Sequence, residues 1–136
     1  MKFKLTSIKK KVLELDNIDS AIIPTKAGEI TILDTHEPLI SALKPGILRI
    51  KIGSKEELYA IGGGVLETDG VSLNIIADMV EDGKGLDIED IKAKKAEAKN
   101  LLEKYMEENR TMDMAYYIEL ETQFLKESAK EQLALR

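Results

Sequence analysis

From Met1 to about Asp82, apolar and polar residues alternate with period two in short runs punctuated by Gly, Pro and Asp. Successive side chains of an extended chain point to opposite faces, so this alternation predicts strands with one buried side. Leu48, Ile50 and Ile52 fall on one face while Arg49 and Lys51 fall on the other, and Ile30 and Ile32 repeat the pattern after Ala27-Gly28. Val71, Leu73 and Ile75 repeat it again after Asp69-Gly70, a dipeptide suited to a tight hairpin turn. Several short strands at this spacing predict a mainly β unit, a sandwich or flattened barrel.

The period changes after Gly83 and Gly85. From Leu86 onward the chain holds neither Gly nor Pro and is rich in Ala, Lys, Glu and Leu, all good helix formers. Asp87, Glu89 and Asp90 put negative charge where a helix N-terminus favours it, so a helix should open near Asp87. Its apolar stripe is Ile88, Ile91, Ala98, Leu102 and Tyr105, interrupted by Lys95, and the pattern fades at Glu107-Glu108-Asn109-Arg110. Asp113 is placed to cap a second helix with the stripe Met114, Tyr117, Ile118, Phe124, Leu125, Ala129 and Leu133, Leu120 lying on its flank. The short connection predicts an antiparallel hairpin. The expected organisation is a β-sandwich over residues 1–82, a linker over 83–86 and a helical hairpin over 87–136.

Composition narrows the chemistry. A chain of 136 residues without cysteine and with a single histidine offers no disulfide framework, thiolate nucleophile, Cys-based zinc site or cluster of imidazoles, and no metal site is expected. A net charge of -5 opposes binding to nucleic acid, which needs a basic face. With 4% aromatic residues the core must be aliphatic. The N-terminal MKFKLTSIKKKVLEL is basic but lacks the apolar run of a secretion signal, and no segment is long enough to span a bilayer, so a soluble, cytoplasmic chain is expected.

Three local patterns invite a chemical reading and fail it. Gly62-Gly63-Gly64 lacks the spacing of a nucleotide-binding loop and runs into the strand Val65-Leu66, which points instead to a bulge or a close backbone approach. Gly83-Lys84 is followed by Gly85 rather than Ser or Thr, so it is no P-loop, and Asn109-Arg110-Thr111 is a glycosylation pattern in a chain without a secretion signal. His36 has Asp34, Thr35 and Glu37 beside it, but neighbours along an extended segment diverge, so a turn histidine bonding the local backbone or a surface contact is expected rather than a catalytic base. In the Pro45-Gly46 turn, proline presets φ and glycine accepts unusual φ, which would reverse the chain into the Ile47 to Ile52 strand.

Taken together, GEITILDTHEPLISALKPGILRI from Gly28 to Ile50, then AIGGGVLET, GVSLNIIAD and a two-helix tail, resemble the epsilon subunit of bacterial F-type ATP synthases in order, spacing and length. Thr31 stands where glycine is usual and Asp34 where proline is usual. The resemblance implies a ten-stranded flattened barrel followed by a helical hairpin. It also implies a non-catalytic place in the central stalk, between the gamma subunit and the membrane rotor ring, without cofactors and peripheral to the cytoplasmic face of the membrane. There the subunit helps couple ATP synthesis to hydrogen ion or other ion transport. By the same resemblance Glu29, Ile30, Thr31, Ile32 and His36 face the rotor ring and Ser41 faces gamma. Ile30 and Ile32 also fit core positions by their period-two spacing.

In bacterial relatives the hairpin either lies on the barrel or extends along gamma toward the catalytic alpha and beta subunits, where it inhibits ATP hydrolysis. The hairpin's apolar stripe here is thin and interrupted by Lys95, Glu121 and Ser128. Each large apolar side chain adds about 1.5–3 kcal/mol when buried, so docking should be weak enough for a partner to shift. Phe124, Leu125 and Leu133 are expected to carry any inhibition, because Lys126, Lys130 and Arg136 are offset by Glu119, Glu121, Glu127 and Glu131. Relatives that bind ATP open the first helix with I/L-D-x-x-R-A. Here Asp87 matches but Asp90 replaces the arginine and Ile91 the small residue, so weak or no nucleotide binding is expected. The competing reading is a free-standing small-ligand or carbohydrate-binding β-barrel with a helical oligomerisation tail, which the low aromatic content weighs against.

Overall fold

The computed structural model describes residues 1–8, 11–108 and 113–136. Ten strands come first: β1 (Lys2–Ser7), β2 (Lys11–Leu15), β3 (Ser20–Thr25), β4 (Gly28–Leu33), β5 (Leu39–Leu43), β6 (Gly46–Ile52), β7 (Lys55–Ile61), β8 (Gly64–Thr68), β9 (Ser72–Ala77) and β10 (Val80–Glu81). Two helices follow, α1 (Ile88–Glu108) and α2 (Met114–Ala134). The fading expected at Glu107 to Arg110 agrees with the end of α1 at Glu108, while Asn109, Arg110 and Thr111 lie outside the described residues.

The strands form one curled sheet that folds over itself as two layers. β10, β7, β6 and β3 are neighbours, with β4 also on β3, and β5, β8, β9, β1 and β2 continue the path. The halves are joined by the single Thr25↔Leu43 pairing of β3 with β5. All pairings are antiparallel except that of β1 with β9.

Alternation decides what lies between the layers. In one layer Ala21 stands between Ile32 and Ile50; in the other Ile75 stands between Leu66 and Leu5. All of these side chains are buried, and Phe3, Ile23, Leu48, Ile61 and Leu73 belong to the same, mostly aliphatic core. Tyr59 joins that core, and its hydroxyl donates to Glu57 Oε2 at 3.0 Å; burial, then that carboxylate, push its pKa up to about 12. Val71 departs from the expected pattern. It is exposed because the Asp69-Gly70 turn, in which Asp69 Oδ1 accepts the Val71 and Ser72 N–H groups, still includes it.

The Pro45-Gly46 segment also departs from expectation. It joins β5 of one layer to β6 of the other, so it is a crossing between layers rather than a hairpin reversal. Gly46 does not have positive φ. Glycine is needed there for space, since a Cβ would sit 2.9 Å from Pro24 Cβ on β3.

Asp87 caps α1, its Oδ1 accepting the Glu89 N–H at 3.0 Å, and Asp113 caps α2 through the Ala115 and Tyr116 N–H groups. The helices pack antiparallel, with Ile91 and Ala98 of α1 buried. Lys95, the interruption in the α1 stripe, spans to Glu131 of α2 at 3.1 Å and lies 5.8 Å from the Phe124 ring centre. α2 is the helix that docks: Ala129 and Leu133 pack on Ile47 and Ala60 on the outer face of β6 and β7. Met114 and Ile118, assigned by periodicity to the packed stripe, are instead exposed. They share a helical face with Ala129 and Leu133 but lie in the first half of α2, where that face is left uncovered.

Candidate functional site

Two sheet surfaces and the docked helix bring the sequence-predicted residues into view. β4 pairs only with β3 among the described strands, so its other edge is open. Glu29, Thr31 and Leu33 are exposed along it. Ile32 points the other way and is fully buried, and Ile30 packs against the same core. The isoleucines are thus core residues, as the period-two spacing allows, and Ile32 offers no surface to a partner.

His36 lies beyond the far end of β4. Its Nδ1 is 2.7 Å from the Glu37 carbonyl oxygen, and because a carbonyl only accepts, Nδ1 carries the proton. The His36 N–H donates to Leu33 O and the Thr35 N–H to Gly70 O, which ties this turn to the β8–β9 turn. His36 is therefore a turn histidine bonding local backbone. Glu29 and His36 share one open edge, but the strand between them sets them roughly 13 Å or more apart.

Ser41 lies in the middle of β5. It pairs opposite Leu66, a fully buried residue, and so points to the inner side of β5. The outward residues of β5 are its neighbours Ile40 and Ala42. Ala42 stands beside Val65, and Val65 beside Ile76, in a row across β5, β8 and β9. Ile40, Val65, Ile76 and Ile8 are 71%, 46%, 53% and 73% exposed, an apolar surface that a sandwich of this size does not need for its own folding. A groove of about 460 Å³ runs beside it, lined in part by Lys26, Pro45 and Thr122.

The hairpin residues divide by direction. Leu133 is buried against the sheet, Phe124 turns toward α1, and Leu125 is half-buried. Lys126 Nζ meets Asp78 Oδ2 at 2.8 Å, and Lys130 Nζ lies 3.4 Å from Glu127 Oε1. Sequence periodicity missed Glu127, which is 2% exposed, because a glutamate on a helix reads as a solvated face. It missed Asp78 as a partner for the hairpin as well, since nothing local marks a contact spanning 48 positions. Asp87 is used as a helix cap and Asp90 pairs with Lys94 at 3.1 Å. Among the described residues no group of acidic, His or Cys side chains could hold a metal ion, and no helix is long and apolar enough to cross a membrane.

A two-layer β-sandwich with an open apolar face and a docked helical hairpin defines a class of small subunit, and comparison gives that class a family. Residues 1–83 match the family described as ATP synthase, Delta/Epsilon chain, beta-sandwich domain. The ATP synthase epsilon chain of Desulforamulus reducens is 37% identical over 93 residues, 68% of this chain and 70% of that one. The epsilon chain of Staphylococcus aureus is 33% identical over 92 residues, 68% of this chain and 69% of its own length. Among solved structures, a chain of the Euglena gracilis mitochondrial ATP synthase, OSCP/F1/c-ring, superposes with a TM-score of 0.77 at 24% identity, covering 98% of this chain and 80% of that one. A chain of the Tetrahymena thermophila mitochondrial ATP synthase central stalk/c-ring superposes at 0.64 with 16% identity, covering 98% and 96%. The protein belongs to the ATP synthase epsilon-chain family, and its role is that of a central-stalk subunit of an F-type ATP synthase.

Proposed function

We propose that the protein joins the gamma subunit to the membrane rotor ring, so that rotation driven by ion flow reaches the catalytic subunits. The observation that carries this reading is the exposed apolar row Ile40, Ala42, Val65 and Ile76 on a domain that matches the epsilon family. Such a surface on a small subunit suits a permanent protein partner, and gamma is the partner it fits. Ser41 then supports this face from beneath. The β4 edge, with Glu29 and Thr31 outward and His36 at its end, faces the polar loops of the rotor ring. The protein holds no catalytic residues of its own and reaches the cytoplasmic face of the membrane through the complex. The competing ligand-binding barrel finds no support, because the space between the layers is filled by Phe3, Leu5, Ile32, Leu48, Leu66 and their neighbours.

Paired cysteines test the assignment. A cysteine at Glu29 should cross-link to one in the rotor-ring loop of the assembled, active enzyme, and one at Glu67, on the other layer, should not. Equal yields from both would remove the rotor-ring assignment.

Residues 1–82 should fold alone, since the larger hydrophobic core lies within them. That segment should fold and bind gamma, with a modest loss of stability because Ile47 and Ala60 lose their cover from Ala129 and Leu133. A thermal melt and a gamma pull-down check this; an unfolded 1–82 segment under conditions where the full chain folds would overturn the boundary. The hairpin acts as a brake on ATP hydrolysis when it leaves the sandwich and reaches the alpha and beta subunits. Nucleotide does not hold it in place, because the arginine position is taken by Asp90, already paired with Lys94.

A further inference from the structure

Contacts of two opposite kinds bear on the docked hairpin. The chain leaves β7 through Gly62 and Gly63, and Asp78 follows β9. Gly62 N–H donates to Met79 O at 2.9 Å and Asp78 N–H to Gly63 O at 2.8 Å, which stitches the two segments side by side. Lys126 of α2 reaches this point, and its side chain is 20% exposed where Nζ meets Asp78. A Cβ on Gly62 would overlap the Asp78 carboxylate and come within 3.0 Å of Lys126 Cε. Glycine at 62 therefore keeps the seat open for the lysine.

Glu127, the next residue of α2, works the other way. Its Oε1 has only long contacts, 3.3 Å from Gln123 Nε2 and 3.4 Å from Lys130 Nζ, and its Oε2 is buried without a partner. Lys94 of α1 also acts on it through its charge. Glu127 shares the α1-facing side of α2 with Phe124 and Glu131, and a buried carboxylate with one oxygen unsatisfied raises the free energy of the packed hairpin, because water solvates that oxygen when α2 parts from α1 as it leaves the sheet.

We propose that docking of the hairpin is set by this opposed pair: Lys126 in the Gly62–Asp78 seat holds the helix, and Glu127 keeps it releasable. The proposal rests on the reading that the hairpin moves. It also explains how docking would silence a brake: Lys126, Lys130 and Leu133 are engaged inside the subunit and are not free to meet a catalytic subunit.

Hydrogen exchange on the α2 amides of the full-length protein tests it, with the core strands as internal reference. Asp78→Asn should raise the open population of α2 roughly five- to tenfold, the effect of losing one partly buried charged contact, and leave the strands unchanged. Gly62→Ala should act in the same direction. Glu127→Gln should lower the open population, and the Asp78→Asn/Glu127→Gln pair should fall between the single variants. Wild-type exchange in Asp78→Asn, or faster exchange in Glu127→Gln, would overturn the proposal. ATP hydrolysis by the assembled enzyme separates it from the brake reading. If Asp78→Asn loosens α2 but removing residues 108–136 leaves hydrolysis unchanged, the latch stands and the brake does not.

Discussion

Replacing Val65 and Ile76 by aspartate should detach the protein from gamma while leaving the sandwich folded. Both side chains point outward from β8 and β9 and are about half exposed, so the carboxylates can be solvated in the free subunit. In the complex each would lie in an apolar interface without a partner. Central apolar anchors lose about 2 kcal/mol or more each when truncated, and a buried unpaired charge adds to that, so affinity should fall at least about a hundredfold. Titration of purified gamma with the double variant measures the loss, and a thermal melt within a few degrees of the parent shows that folding is intact. Glu67→Lys, on the same face but at a charged position, should weaken binding far less. Unchanged affinity in a folded Val65→Asp/Ile76→Asp variant would remove this face from the gamma interface.

The largest effect on stability is expected at Gly64. Its φ of +154 lies at the limit of the region that L side chains rarely adopt, and a Cβ there would overlap the carbonyl oxygen of Ile76 on the paired strand. Neither backbone can yield without breaking the β8–β9 ladder, whose next pair inward brings Leu66 against Ile75. Gly64→Ala should therefore cost about 3 kcal/mol or more, combining backbone strain with overpacking. Gly53 is the comparison: its φ is +59, but a Cβ there meets nothing within 4 Å. Gly53→Ala should cost only about 1–2 kcal/mol, the conformational term alone. Denaturant unfolding of both variants measures the difference. Equal, small losses would show that β8 and β9 can separate at that point and that close approach does not explain the glycine.

The elements that carry the candidate residues were legible along the chain, but the direction of each side chain was not. The alternation around Ile30 and Ile32 places β4 correctly. On β5 the side chain of Ser41 points inward, because one step along a strand reverses direction and the outward residues are Ile40 and Ala42. The triple glycine was readable as a close approach, yet what approaches it, Asp78 with Lys126, comes from positions 16 and 64 residues beyond Gly62.

Local structure was readable along the chain: where strands run, where Asp87 and Asp113 start helices, that His36 sits in a turn, and which family the order of motifs resembles. These follow from side-chain alternation, capping and turn chemistry, which act over a few residues. Which side of each element is covered depends on the packing of distant segments. It alone separates Ala129 and Leu133, packed on the sheet, from Met114 and Ile118, left in solvent, although one helical period contains them all. It alone buries Glu127 and gives Lys126 its partner. Periodicity tells which residues share a face, but burial depends on what another part of the chain brings against that face, and that is fixed only when the sheet has curled and α2 has docked on it.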